Sequence, residues 1–359
     1  MKEKYLINKL SNMSLKEKIG QMIMIDYRNV NEMTINLEKI LTKYSLGGFI
    51  LFRSNIDSFN QTKKFLNEIK HSNDIPLIVS TDQEGGRVQR LNKNVGFDDI
   101  PSMQFVGKNF SEEEVFELGK KIGSELKSIG IDMDMAPVLD IFSNPENKVI
   151  GDRAFGTNSE LVKKLSMALA SGLKEEKIIA VGKHFPGHGD TIKDSHVDIP
   201  EVTKELDELK SLELIPFINA IKNNIAGLIV GHLAVPKITG DSVPASMSGV
   251  LISDLLKDKL AYKGLIIPDS LKMKALTNFF TNDDIYLRCI KAGNDILLMP
   301  QDVNVAFNTI YNAVNDGKIS EERIDESVLK ILSTKFDYGF FTKEYKEYIK
   351  NNNKKLGRW

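Results

Sequence analysis

The sequence from residue 178 onward reads Ile178-Ile179-Ala180-Val181-Gly182-Lys183-His184-Phe185-Pro186-Gly187-His188-Gly189-Asp190 and continues Thr191-Ile192-Lys193-Asp194-Ser195-His196. Its first four residues form an apolar run that is typical of a buried strand in a parallel sheet. Between Lys183 and His196 lie three of the five histidines of the chain, with two aspartates and two glycines that allow tight turns. A strand that ends in titratable side chains is typical of parallel α/β proteins, whose catalytic and binding residues lie at the carboxyl ends of the strands.

Apolar runs of this kind recur along the chain and alternate with helical segments. The eight runs are Met22–Ile25, Phe49–Phe52, Leu77–Val79, Ile131–Val138, Ile178–Val181, Leu228–Val230, Leu265–Ile267 and Ile296–Met299. Amphipathic segments between them include Glu112–Ser128, Leu161–Glu175, Lys204–Ile221, Ser248–Leu260 and Val303–Val314. Eight such alternations predict an α/β protein with a (β/α)8 TIM-type barrel. A doubly wound sheet is the competing fold, but no Gly-x-Gly-x-x-Gly motif follows the first strand.

Length and charge restrict the domain organisation and the partners. A chain of 359 residues without a repeat or a Pro- or Ser-rich linker predicts one barrel domain over residues 1–341 and a polar C-terminal tail over residues 342–359. The 48 basic and 49 acidic side chains give a net charge of -1, so no global field favours nucleic acid or an anionic membrane. We therefore expect a small-molecule substrate. The oligomeric state is left open.

The sequence predicts a cytoplasmic protein that does not insert into membranes. The first six residues carry charges and lack the apolar core of a signal peptide or lipoprotein leader. No stretch approaches the ~20 apolar residues that span a bilayer. The single cysteine, Cys289, cannot form an internal disulfide, which fits a reducing compartment. Because Leu287, Ile290 and Ala292 surround it on a predicted helix, we interpret Cys289 as a core residue.

Charged and polar side chains gather after several of the predicted strands. They are Asp82, Glu84, Arg87 and Arg90 after the third run, Asp140 and Gly151-Asp152-Arg153 after the fourth, Lys183 and His184 after the fifth, His232 after the sixth and Asp269 after the seventh. In a barrel these positions converge on one rim. For Asp269 two interpretations stay open: a carboxylate suited to attack or charge stabilisation, and the N-cap of the following helix.

Three hypotheses compete for the histidine-rich segment. As a metal site it would offer His184, His188, Asp190, Asp194 and His196 as ligands. However, its proline and glycines exclude the helix that pairs histidines in zinc proteases, and no His-x-His follows the first strand. If the segment is a structural loop, its histidines would only form hydrogen bonds to the backbone. As an acid/base site, which we prefer, Asp194 would bind and orient the imidazole of His196.

Taken together, four motifs closely resemble glycoside hydrolase family 3, and more narrowly its single-domain bacterial β-N-acetylglucosaminidases. The motifs are Lys183 to Gly189 with Asp194 to His196, Asp82 to Leu91, Gly151 to Gly156 and Pro268 to Met273. The resemblance extends from about Ser14 to about Phe341, and it implies that residues 1–341 are the N-terminal-type catalytic barrel of that family. The nucleophile segment, commonly Ser-Asp-Asp-Leu, is Pro268-Asp269-Ser270-Leu271 here, which leaves the rate and the pH optimum open.

The resemblance implies a role for each site residue. It implies Asp269 as nucleophile, His196 as general acid/base and Asp194 as its partner, with Asp82, Arg90, Arg153, Lys183 and His184 binding sugar hydroxyls. The implied activity is a retaining, exo-acting removal of terminal β-linked N-acetylglucosamine, on peptidoglycan fragments, with no metal or organic cofactor. Alternatives are a phosphorylase, since a histidine does not repel phosphate, a β-glucosidase-like member, and a sugar-binding protein without activity.

Overall fold

Eight parallel strands form the centre of the computed structural model, which describes residues 1–191 and 199–355. They are β1 Ile23–Ile25, β2 Gly48–Ile50, β3 Ile78–Thr81, β4 Met133–Asp134, β5 Ile179–Phe185, β6 Gly227–Val230, β7 Leu265–Pro268 and β8 Leu297–Leu298. Their order is β8-β1-β2-β3-β4-β5-β6-β7. The Asp295 N–H donates to the Ile266 carbonyl at 2.7 Å, so backbone bonding also links β7 to the segment before β8. The predicted (β/α)8 barrel is confirmed.

Helices surround the barrel and cover its strands. They are α1 Lys2–Ser11, α2 Leu15–Gln21, α3 Ile35–Lys43, α4 Phe59–Lys70, α5 Met103–Asn109, α6 Glu112–Ile129, α7 Ser159–Glu175, α8 Leu206–Ser211, α9 Leu214–Lys222, α10 Pro236–Thr239, α11 Lys274–Thr277, α12 Asn282–Ala292, α13 Val303–Asn315, α14 Glu321–Asp337 and α15 Thr342–Lys355. Val250–Lys259 is π-helical, and a short hairpin of Gln83–Gly85 with Val88–Gln89 follows β3. Cys289 is fully buried in α12, as its apolar neighbours predicted.

One predicted helix, Lys204–Ile221, is wrong because the segment forms two helices, α8 and α9, with a break at Leu212. Pro216 explains the break. It has no N–H group to donate to the carbonyl of Leu212, and its ring would clash with that carbonyl in a continuous helix. The buried side chain of Glu213, next to the break, accepts a hydrogen bond from Lys204 Nζ at 2.5 Å.

The predicted tail contains a helix that packs on the start of the chain. Within α15 the ring of Tyr345 lies 5.2 Å from that of Tyr5, and Glu344 accepts a hydrogen bond from the Tyr5 hydroxyl at 2.9 Å. The division at residue 341 stays a prediction. Across the two described ranges, no helix combines the length and apolar character needed to cross a membrane.

Candidate active site

A cleft of about 1190 Å³ opens at the carboxyl ends of the strands. Six predicted site residues line it, namely Asp82, Arg90, Arg153, Lys183, His184 and Asp269. Lys183 and His184 lie within the last residues of β5, the other four follow β3, β4 and β7, and the barrel brings all six to one rim. The other two predicted residues, Asp194 and His196, lie outside the described residues.

The deepest part of the cleft is a network of buried ion pairs. Lys183 Nζ lies 2.9 Å from Asp82 Oδ1 and 2.5 Å from Glu84 Oε1. Arg153 binds Glu84 through two parallel hydrogen bonds, both 2.7 Å long. Arg90 donates to Asp82 Oδ2 at 3.0 Å. Each cation is therefore fixed by a carboxylate, and we call these five side chains the inner cluster.

The inner cluster keeps its carboxyl groups ionised. Burial alone would raise the pKa of Glu84, but the charges of Arg153 and Lys183 lower it to about 2. Burial also opposes ionisation of Asp82, and Lys183 and Arg90 hold its pKa well below the usual range. Fixed anions and cations side by side can accept from and donate to the hydroxyls of one sugar ring.

His184 is oriented by a buried carboxylate. Its Nδ1 lies 2.6 Å from Asp140 Oδ2, and its backbone N–H donates to the same carboxylate. Because a carboxylate only accepts hydrogen bonds, Nδ1 of His184 carries the proton. In the neutral ring of His184, the lone pair is then on Nε2. That Nε2 lies 3.5 Å from Arg153 Nη2, beside the inner cluster. Asp140 thus fixes the position and the tautomer of His184.

The loop after β5 is folded tightly, as its glycines predicted. Gly187 has a φ of 127°, which favours glycine, and a Cβ on Gly189 would lie 1.7 Å from the Ile141 carbonyl oxygen. His188, buried in this loop, contacts Thr191 Oγ1 through Nδ1 at 2.7 Å. Burial lowers the pKa of His188 to about 4, so its ring is neutral at pH 7.

The three proposed metal ligands that the structure describes, His184, His188 and Asp190, have other partners. Asp190 lies 3.2 Å from the Ser143 hydroxyl and 3.1 Å from Lys204 Nζ, while His184 binds Asp140. Over residues 1–191 and 199–355, no three His, Cys, Asp or Glu side chains are grouped as metal ligands.

Asp269 projects into the cleft directly after β7. Its N–H donates to the Val230 carbonyl at 2.9 Å, and its Oδ1 accepts from the Ser270 N–H at 2.7 Å. Oδ2 has no hydrogen-bond partner in the described part of the chain. The N-cap interpretation is wrong, because the next helix, α11, begins at Lys274 and is preceded by Met273 as its N-cap.

The environment of Asp269 favours the carboxylate form. Burial would raise the pKa of Asp269, but the His184 and His232 imidazoles and the Ser270 N–H more than offset this, so the pKa is lowered. His232 is itself held by Ser246 Oγ at 2.8 Å and by the Ser270 carbonyl at 3.0 Å. An ionised, oriented oxygen therefore faces the cleft, as a nucleophile requires.

Several acidic residues of the site have roles that the sequence pattern did not indicate. Glu84 and Asp140 were placed at the rim without a function, although they hold Arg153 and His184. Asp26 was overlooked, yet it directly follows β1, so the rule that located Asp269 could have found it. Asp134 was assigned to a strand interior; burial raises its pKa to about 7 at the edge of the inner cluster.

Replacing Glu84 by glutamine is expected to lower the free energy of unfolding by about 3–5 kcal/mol, because two buried cations lose their shared anion. Urea unfolding at pH 7 measures this loss. The matched control is Glu146→Gln, an exposed carboxylate of the same cleft that forms no ion pair within the described ranges. Equal unfolding midpoints for the two variants would contradict the role of Glu84.

The fold and the site define a (β/α)8-barrel protein with a charged cleft at the carboxyl ends of its strands. The model for the glycosyl hydrolase family 3 N terminal domain matches residues 14–334, so the chain belongs to this family. The family resemblance seen in the four motifs is confirmed.

Individual relatives agree with this assignment. Beta-hexosaminidase A of Pseudoalteromonas piscicida is 29% identical over 88% of this chain and 60% of its own length. A beta-hexosaminidase of Hydrogenovibrio crunogenus is 33% identical over 84% of this chain and 85% of its own length. The structure of a family 3 beta-N-acetylglucosaminidase from a Paenibacillus species matches with a TM-score of 0.88 at 36% identity, covering 91% of this chain and 63% of that one. The chain thus spans less than two thirds of two of these relatives.

Proposed function

We propose that the chain is a retaining, exo-acting β-N-acetylglucosaminidase that removes terminal β-linked N-acetylglucosamine from small glycosides. The observation that carries this proposal is the ionised, cleft-facing carboxylate of Asp269 beside the inner cluster. The relatives named as hexosaminidases support an N-acetylhexosamine as the sugar.

The inner cluster would bind the sugar that is removed. Lys183 and Arg153 donate charge-assisted hydrogen bonds to hydroxyl oxygens, and Asp82 accepts from hydroxyl protons. Each is already fixed in the free protein by its ion-pair partners. Such preorganisation holds the anomeric carbon near Asp269 without further ordering of side chains.

In the first chemical step, a carboxylate oxygen of Asp269 would attack the anomeric carbon. The bond from that carbon to the leaving oxygen breaks, and this oxygen takes a proton, giving a covalent glycosyl-enzyme. We assign the proton to His196, oriented by Asp194; both residues lie outside the described part of the chain. In the second step, neutral His196 takes a proton from water while the water oxygen attacks the anomeric carbon. The bond from that carbon to Asp269 breaks, which releases the sugar and restores the Asp269 carboxylate. Such proton transfer typically contributes ~10²–10⁴ in rate.

We propose peptidoglycan fragments as the natural substrates and the cytoplasm as the site of action. The first proposal rests on the family resemblance. The second rests on the buried thiol of Cys289, the only cysteine in the sequence. No metal or organic cofactor enters the proposed steps.

The test is the stereochemistry of the first product. With 4-nitrophenyl N-acetyl-β-glucosaminide, proton NMR is expected to detect β-N-acetylglucosamine before mutarotation, since two displacements retain configuration. An α-anomer formed first would contradict the retaining mechanism. Release of sugar 1-phosphate in phosphate buffer would identify a phosphorylase, and binding without turnover a sugar-binding protein.

A further inference from the structure

Asp134 is a buried acid beside the inner cluster that the proposed steps do not use. It is the last residue of β4, which pairs with β3 and β5, and it is fully buried. Its Oδ1 accepts a hydrogen bond from the Gln83 N–H at 2.9 Å. Its Oδ2 is buried and has no hydrogen-bond partner among residues 1–191 and 199–355. A buried polar atom without a partner is rare in a folded protein and often has a functional reason.

The hydrogen bond that Asp134 accepts fixes the backbone between two acids of the inner cluster. Gln83 stands between Asp82 and Glu84 in the sequence, so its N–H belongs to the peptide group that follows Asp82. The side chain of Gln83 accepts a hydrogen bond from the Arg90 N–H at 3.0 Å, and the Arg90 guanidinium in turn binds Asp82. Through Gln83, Asp134 therefore supports three of the five side chains of the inner cluster.

The surroundings of Asp134 favour its protonated form. Burial raises the pKa of Asp134 to about 7, and the negative charges of Asp82 and Glu84 act in the same direction. The Gln83 N–H and the positive charge of Lys183 on β5 oppose this rise. However, the Lys183 ammonium group is already shared between Asp82 and Glu84. A neutral carboxyl group can leave Oδ2 without a partner at a much lower cost than a carboxylate can.

We propose that Asp134 is a positioning residue of the sugar site, which holds the inner cluster in its binding geometry while protonated and weakens sugar binding when it loses its proton to water. This inference rests on the proposed function, in which the inner cluster holds the terminal sugar. An ionised Asp134 adds a third anion beside the two carboxylates that share Lys183, and it competes with them for that ammonium group. Lys183 and Asp82 then leave the positions in which they can bind sugar hydroxyls.

Calorimetric binding of N-acetylglucosamine between about pH 6 and about pH 9 tests this role. In the wild-type protein the dissociation constant should rise at least about tenfold over this range, because binding that requires one proton weakens about tenfold per pH unit above the pKa of the group. Asparagine keeps an oxygen acceptor for the Gln83 N–H but cannot ionise. The dissociation constant of Asp134→Asn should therefore match wild type at about pH 6 and change less than about threefold up to about pH 9.

Asp132→Asn is the matched control. Asp132 is also a buried aspartate, and its Oδ2 also accepts a hydrogen bond from a backbone N–H of β3, that of Val79, at 3.1 Å. Its Oδ1 lies 2.6 Å from Lys70 Nζ. Because Asp132 precedes β4, it lies at the amino end of the strand, away from the inner cluster. This variant should keep the wild-type pH dependence of sugar binding.

Infrared spectroscopy gives a second readout, which a purely structural role of Asp134 would not produce. A protonated carboxyl group absorbs separately from carboxylates, so the wild-type protein should show one such band that disappears as the pH rises through about 7. The band should be missing from Asp134→Asn. A wild-type protein without this titrating band would overturn the proposal, even if the variant did not fold.

A wild-type dissociation constant that stays the same across this pH range would overturn the role of Asp134 while the sugar site stands. The same conclusion would follow if the rise with pH persisted in Asp134→Asn. Absence of sugar binding at every pH, together with absence of turnover of the 4-nitrophenyl glycoside, would instead contradict the proposed function, and the inference would fall with it.

Discussion

Replacing Asp269 by asparagine is expected to lower kcat for 4-nitrophenyl N-acetyl-β-glucosaminide by about 10³–10⁵-fold, the range seen when one essential catalytic group is removed. Asparagine preserves the shape and can still accept from the Ser270 N–H, which binds Asp269 Oδ1 at 2.7 Å. It cannot form a stable ester with the anomeric carbon. Steady-state kinetics with equal amounts of folded protein measure the loss.

The matched control for this substitution is Asp152→Asn. Asp152 is also an aspartate of the rim, but its Oδ1 lies 2.9 Å from Arg87 Nε and its side chain is 45% exposed. We expect its kcat to remain within about threefold of wild type, since exposed ion pairs contribute little. A comparable loss in both variants would indicate a general disturbance of the rim and would count against Asp269 as nucleophile.

Replacing His196 by alanine is expected to have the second largest effect, and its size should depend on the leaving group. For an alkyl glycoside, whose oxygen must be protonated as it leaves, we expect kcat/KM to fall by about 10²–10⁴-fold. For the 2,4-dinitrophenyl glycoside, which leaves as a stable anion, the fall should be below about tenfold, since proton donation contributes little there. Kinetics with both substrates give the two values.

His71→Ala serves as the control for His196. His71 ends α4 at an exposed position and contacts the Asn67 carbonyl through Nδ1. Both substrates should be cleaved by this variant at wild-type rates. Equal losses for the alkyl and dinitrophenyl substrates in His196→Ala would mean that His196 does not donate the proton.

The barrel could be predicted because each central strand is buried on both faces and is therefore an apolar run. Segments such as Leu265–Ile267 need no alternation of polar and apolar residues, and the observed strand Leu265–Pro268 differs from the predicted one by a single residue. Placement of the rim residues followed from the same rule. Asp82 and Asp269 lie where strand ends converge, although 187 positions separate them in the sequence numbering.

The ion pairs between segments distant in the sequence could not be predicted, because they depend on which strands become neighbours in the barrel. The pairing of Glu84 with Arg153 joins segments after β3 and β4, and the pairing of Lys272 with Asp26 joins segments after β7 and β1. Neither contact leaves a periodic signal in the sequence. The helical pattern of Lys204–Ile221 also failed to predict the break between α8 and α9. Pro216 causes this break by removing a hydrogen bond to the carbonyl of a residue four positions earlier.

The most direct test of the account is trapping the covalent intermediate with a slow fluorinated N-acetylglucosaminyl donor, followed by trypsin digestion and mass analysis. Trypsin should release residues 264–272, in which Asp269 is the only side-chain carboxylate. We predict that this peptide gains the mass of one fluorosugar and that fragmentation places the label on Asp269. A label on any other peptide, or inactivation without a covalent sugar, would contradict the assignment of Asp269 as nucleophile.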